Sequence, residues 1–123
     1  MDIKEKIVSD YFNSWITKDC SCLVSYFSSD SIYSECYGPE YHGISQITKW
    51  FLQWNKKASV LEWKVKQFVH ENQILVVEWY FECECGGKID GFDGVSLIKF
   101  NDKNKIVNLK EFQSKAEHTY PYS

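Results

Sequence analysis

The chain has 123 residues, of which 44% are hydrophobic and 17% aromatic, and its formal net charge is −3 at pH 7. This length suits one domain, 1–123, and so many bulky rings exclude disorder. Its fourteen Lys and Arg positions are all lysines, so the guanidinium forks that read bases or clamp phosphates are missing, and nucleic acid is excluded as the expected partner.

The opening "MDIKEKIVSDYF" lacks an apolar signal-peptide core, and no run approaches the roughly 20 apolar residues of a membrane span. We therefore expect a cytoplasmic protein that does not bind membranes. Five cysteines, an odd number, read as reduced thiols. Two pairs, Cys20 with Cys22 and Cys83 with Cys85, raise the question of zinc, but CxC is a weaker signal than the CxxC of structural sites. The expectation is no metal.

The first segment repeats Ile3, Ile7, Val8, Tyr11, Phe12, Trp15 and Ile16 at helical spacing, with Asp2 and Glu5 placed as a capping box. A short second helix is expected after "KDCSC", with Leu23, Val24, Tyr26 and Phe27 inward. "SDSIYSEC" reads as a strand, broken into a loop by Gly38, Pro39 and Gly43. A third helix carries Ile44, Ile47, Phe51 and Trp54 on one stripe. From Ser59 the period becomes two. Leu61, Trp63 and Val65 share a strand face, as do Val77, Trp79, Phe81 and Cys83 on the next strand. "GGKIDGFDGVSLIKF" and "KIVNLKEFQSKAEH" supply two more strands joined by "NDKNK". Helices followed by a four-stranded meander give an α+β plan, with the N-terminal helices packed in the concave face of a strongly curved, mainly antiparallel sheet. The open end of such a cone is where a ligand would sit.

Glu35, in "SIYSECYGPEYHG", is either an acid tuned by an aromatic pocket or a solvated strand-edge residue. Asp93 lies between glycines in "GFDGV", which favours a turn or bulge. A bulge would turn it inward. Glu111 shares strand parity with Val107 and Leu109 and is a second candidate inward carboxylate. Trp15, Phe51, Trp54, Trp63, Trp79, Phe81 and Ile98 are expected as core or cavity wall.

The order and spacing of "YFNSWITKD", "YFSSDSIYSECYGPEYHG", "ITKWFLQW", "VVEWYFEC" and "GFDGVSLIKFNDKNKIVNLKEF" resemble the nuclear transport factor 2-like superfamily, and within it the SnoaL-like and ketosteroid isomerase-like proteins. The resemblance implies a cystatin-like α+β barrel with a cone-shaped pocket, and a homodimer formed through the outer sheet face. It implies Glu35 at the place of the isomerase general base and Tyr11 at that of the donor tyrosine. Ser96 stands where the isomerases carry a second acid, which departs from their pattern. The activity implied is cofactor-free proton transfer of isomerase or cyclase type on a small apolar or carbonyl-bearing molecule, with Asp93 and Glu111 as further catalytic candidates. The alternative is a ligand-binding or dimerisation module of the same fold without turnover.

Overall fold

A computed structural model describes residues 2–122. Helix α1 (Ile3–Thr17) starts because the Asp2 carboxylate accepts the Lys4 and Glu5 backbone N–H groups, satisfying donors that a helix start leaves open. It ends at Lys18, whose φ of 60° is left-handed. Its buried stripe is Ile7, Val8, Tyr11, Phe12 and Trp15. The expected second helix is a 3-10 turn (Cys20–Cys22) and a single α turn, α2 (Leu23–Tyr26). Phe27 is already in strand β1 (Phe27–Ser34), and Val24 is exposed. The segment read as a loop contains a short strand, β2 (Glu40–His42), paired antiparallel with β1. Helix α3 (Ile44–Lys57) buries Ile47 and Phe51 and ends with Lys56 and Lys57, cations suited to the negative end of the helix.

Strands β3 (Ala58–Glu71), β4 (Ile74–Cys85), β5 (Lys88–Phe100) and β6 (Ile106–Ser114) form the expected meander. The six strands lie in the order β2-β1-β6-β5-β4-β3, and β1 pairs with β6 in parallel. The sheet is thus mixed and mostly antiparallel, and it curves around the helices without closing. In β3 the register slips between Val60 and Glu62, so Val60 and Trp63 are both buried while Leu61 turns out. A bulge adds one residue to one strand and inverts the alternation beyond it, which is why simple parity placed Leu61 inward.

The core lies between the helices and the inner face of β3–β6. Gly94 is the clearest case of a residue dictated by this packing. It pairs with Trp79 across β4 and β5, and a methyl group there would overlap the Trp79 ring and stand 2.6 Å from the Phe112 carbonyl oxygen. Only a residue without a Cβ lets the indole lie flat across β5.

Candidate active site

An aromatic cavity opens between α1, α3, the β1 end and the inner sheet face. All five tryptophans of the chain line it: Trp15, Trp50, Trp54, Trp63 and Trp79. Tyr33, Tyr37, Phe81 and Phe92 extend the wall, and Glu35, Cys36 and Glu111 supply its polar atoms. The atom-free space is about 440 Å³ with the mouth included, of which about 50 Å³ admits the centre of a water molecule. That exceeds the ~10–15 Å³ one water needs, but the dry-walled interior is small.

The rings brace one another. Trp15 meets Trp54 edge-on at 5.4 Å and Trp50 at 4.8 Å, while Trp63 meets Trp79 and Phe81 edge-on at 5.6 and 5.3 Å. Edge-to-face contacts bring the positive rim of one ring to the negative face of another and hold each orientation. The Trp79 indole N–H donates to Ser96 Oγ at 2.9 Å. The buried Trp63 N–H has no acceptor within hydrogen-bond distance.

Glu111 projects from the inner face of β6. Tyr33 donates to its Oε2 at 2.5 Å, and Tyr11 donates to the Tyr33 oxygen at 2.7 Å. Part of Glu111 faces the cavity, but apolar rings surround the rest. This burial pushes its carboxyl up to about 8, against the smaller opposing pull of the Tyr33 hydrogen bond, with the Glu35 charge adding to the rise. At neutral pH Glu111 is therefore mostly protonated. Burial also raises Glu35, while a hydrogen bond from Tyr41 at 2.9 Å opposes the shift. Tyr41 stacks on Trp50 at 4.6 Å. Burial drives both Tyr33 and Tyr11 well above the usual phenol range, and the Glu111 charge reinforces the rise. The Cys36 thiol is raised to about 12, chiefly by burial and then by Glu111 and Glu35. It is an unreactive wall group rather than a nucleophile.

The fold thus brings Glu35 and Glu111 to one cavity, with Trp15, Trp54, Trp63, Trp79 and Phe81 on its wall. Other expected residues stand elsewhere. Tyr11 is completely buried behind Tyr33, so its hydroxyl meets that tyrosine rather than the cavity. Ser96 is also fully buried and holds the Trp79 indole. Phe51 and Ile98 belong to the core behind the wall, with Phe51 packed on Trp15 at 4.4 Å. Asp93 lies on the outer face, ion-paired with Lys66 at 2.8 Å. The β4–β5 register runs unbroken through it, so no bulge turns it inward.

Tyr33, Trp50, Cys36, Tyr37 and Phe92 were not singled out from the sequence. Tyr33 shares strand parity with Ser31 and Glu35, and Phe92 with Gly94 and Ser96, so a period of two could have found both. Trp50 follows Ile47 by three positions at the edge of the α3 stripe. Cys36 and Tyr37 lie in a turn closed by Gly38 N–H donating to the Glu35 carbonyl, and periodicity gives no signal there. The four paired cysteines do not assemble. Among the described residues, the His, Cys, Asp and Glu side chains that gather closely enough for a metal are Asp2 and Glu5 at the start of α1 and His70 near the end of β3. There Asp2 caps the helix and Glu5 meets His70 at 2.6 Å. No helix among the described residues is long and apolar enough to cross a membrane.

Several solved structures share this architecture. A ketosteroid isomerase-like protein from Catenulispora acidiphila, in complex with trimethylamine, superposes with a TM-score of 0.79 at 15% identity, over 90% of this chain and 86% of that one. An epoxide hydrolase of the LEH-like type from M. tuberculosis gives 0.80 at 12% identity, over 90% and 82%. A candidate SnoaL-like polyketide cyclase from Shewanella denitrificans gives 0.78 at 16%, over 93% and 92%. At such identities the likeness establishes the fold alone. Among curated proteins, none matches the chain. The family profile of the SnoaL-like domain matches residues 8–109. With most of its length matched and the helices and curved sheet in place, the chain belongs to the SnoaL-like domain family.

Proposed function

We propose that this domain binds a small apolar or carbonyl-bearing molecule in the aromatic cavity and moves protons on it without a cofactor, with Glu35 as base and protonated Glu111 as acid. One observation carries this reading: two carboxyl groups share one apolar wall, and both are raised by burial. Neighbouring acids with unequal surroundings can divide the base and acid roles. A protonated Glu111 whose Oε2 accepts from Tyr33 carries its own proton on the other oxygen, where it can be given to a substrate oxygen. Tyr11, first expected as the direct donor, becomes a positioning residue that holds Tyr33. The polyketide cyclase and epoxide hydrolase relatives support acid-base chemistry in this architecture.

The test is incorporation of solvent deuterium at carbon next to the carbonyl in a panel of small ketones and aldehydes, followed by proton NMR. Exchange in the wild type that is lost in both Glu35→Gln and Glu111→Gln supports the assignment. Exchange that survives in both variants overturns it.

The second reading is a ligand-holding domain without turnover. The small interior favours it, and so does the trimethylamine held by the Catenulispora relative. Native mass spectrometry of freshly purified protein would reveal a retained molecule, and a bound molecule released unchanged would support this reading.

The same proposal includes a cytoplasmic homodimer. All five cysteines are free thiols, which suits a reducing compartment. On the outer sheet face Val69 (50% exposed), Leu97 (41%) and Phe112 (50%) are open. The register Val69–Val76–Leu97 runs across three strands, with Phe112 beside it on the fourth. A second copy laid on this strip would cover it. Light scattering should give twice the chain mass, falling to a monomer for Leu97→Lys with Phe112→Lys.

A further inference from the structure

The cavity wall has a charge character that the acid-base reading does not use. Five indoles and four other rings meet two carboxyl groups there, and no lysine or histidine contributes to the lining. The face of an aromatic ring is its negative side, and tryptophan attracts cations most strongly. An alkylammonium ion is bulky, weakly hydrated and apolar at its rim, so rings replace its water shell at little cost, and a nearby carboxylate supplies the countercharge. A neutral hydrocarbon ligand would need the rings and have no use for the acids. An anion would be repelled by both.

We propose that the cavity recognises a small quaternary or tertiary alkylammonium group, caged by Trp15, Trp50, Trp54 and Trp63 and neutralised by Glu35 and Glu111. This rests on the cavity being a ligand site, as in the preceding section, and does not require turnover. The room available suits a head group of a few heavy atoms rather than a fused ring system. The arrangement also couples binding to a proton. The groups facing the Glu111 carboxyl are Tyr33 from β1, Glu35 and Cys36 from the turn that follows, Tyr41 from β2, and Tyr11 behind Tyr33, so among the described residues no cation compensates it. An incoming ammonium supplies the missing positive charge. The Glu111 carboxyl then gives its proton to solvent, and the carboxylate stays in the cage as the counter-ion.

The experiment uses the whole protein with choline chloride and its neutral isostere 3,3-dimethylbutan-1-ol. Affinities are read by tryptophan fluorescence and calorimetry in sodium phosphate free of organic cations, and released protons by a pH-stat in unbuffered sodium chloride. We expect choline to bind at least tenfold more tightly than the alcohol. Its affinity should rise close to tenfold between pH 6.5 and 7.5 and level off above pH 8, and proton release at pH 6.5 should approach one per site. Glu111→Gln should flatten the pH dependence and weaken choline without improving the alcohol, and Trp54→Leu should weaken choline at every pH. Equal or tighter binding of the alcohol overturns the cation proposal and leaves the small-molecule reading standing. Failure of choline to bind overturns it as well. Choline binding without deuterium exchange in the panel removes the catalytic reading and leaves the cage intact.

Discussion

Tyr33 hands its hydroxyl hydrogen to Glu111 across 78 residues of sequence, at 2.5 Å. This bond favours the ionised carboxylate, while the surrounding rings favour the neutral acid, and the rings win. Replacing Tyr33 by Phe removes the larger of the two hydrogen bonds that oppose the rings and leaves only that of the Cys36 backbone N–H. The Glu111 carboxyl should then titrate about one unit higher than in the wild type. Carbon-13 NMR of the glutamate side chains, assigned through Glu111→Gln, measures this, and an unchanged value would show that Tyr33 does not tune the acid.

Stability should depend on pH in an unusual direction. The folded pKa of Glu111 is raised above its unfolded value, so its contribution is fully present below about pH 4.5 and is lost as pH rises through about 8. In that window the unfolded chain has released the proton that the folded chain retains. Unfolding free energy should fall by at most about 1.4 kcal/mol per pH unit. Glu35 adds to the trend, because its shift has the same sign. Urea titrations between pH 5 and 8.5 should show a decline in the wild type and a flatter line in Glu111→Gln.

Gly94→Ala should place a methyl group where the Trp79 ring lies. Overpacking of this kind costs about 1–3 kcal/mol. Because Trp79 is also a wall residue, the variant should show a changed tryptophan emission together with a lower melting temperature. An unchanged spectrum would mean that β5 yields instead of the ring.

Tyr11→Phe separates support from chemistry. It removes one buried hydrogen bond to the Tyr33 oxygen, a loss of about 1 kcal/mol. Tyr33 keeps its own hydrogen for Glu111, so ligand affinity and any turnover should change less than in Glu111→Gln. A Tyr11→Phe variant as impaired in turnover as Glu111→Gln, yet equally well folded, would return Tyr11 to a direct role.

At the start of the chain, Asp2→Ala should cost about 1 kcal/mol by leaving the Lys4 and Glu5 N–H groups without their side-chain acceptor. Thermal unfolding of this variant should show lower stability with cavity binding preserved.

The fold was legible because its signals are local and repeated. The α1 stripe, the change of period near Ser59 and the hairpin at "NDKNK" each follow from spacing. The cavity was legible in part. Glu111 followed from strand parity, and Trp63 and Trp79 from alternation. Tyr11 misled because a tyrosine on an inner helix stripe gives no hint of whether its hydroxyl reaches a void or another hydroxyl. That depends on Tyr33, a non-local contact. Asp93 misled because a glycine on either side suggested a bulge, whereas Gly94 is needed for the Trp79 ring and the strand stays regular. Leu61 shows the converse, a real bulge in β3 with no glycine or proline to announce it.

The parallel pairing of β1 with β6 has a consequence for how the cavity comes into being during synthesis. Glu35 and Glu111 each stand one residue beyond the Ser34–Lys110 pair, so the same docking event brings both to one end of the sheet. Until β6 has left the ribosome, the early half of the chain holds Glu35 and the rings of α1 and α3 but lacks the opposing acid. Contacts of such long sequence separation form late and slowly. The rings of the wall therefore stay uncovered until β6 docks, and that strand turns an exposed, sticky surface into a chamber.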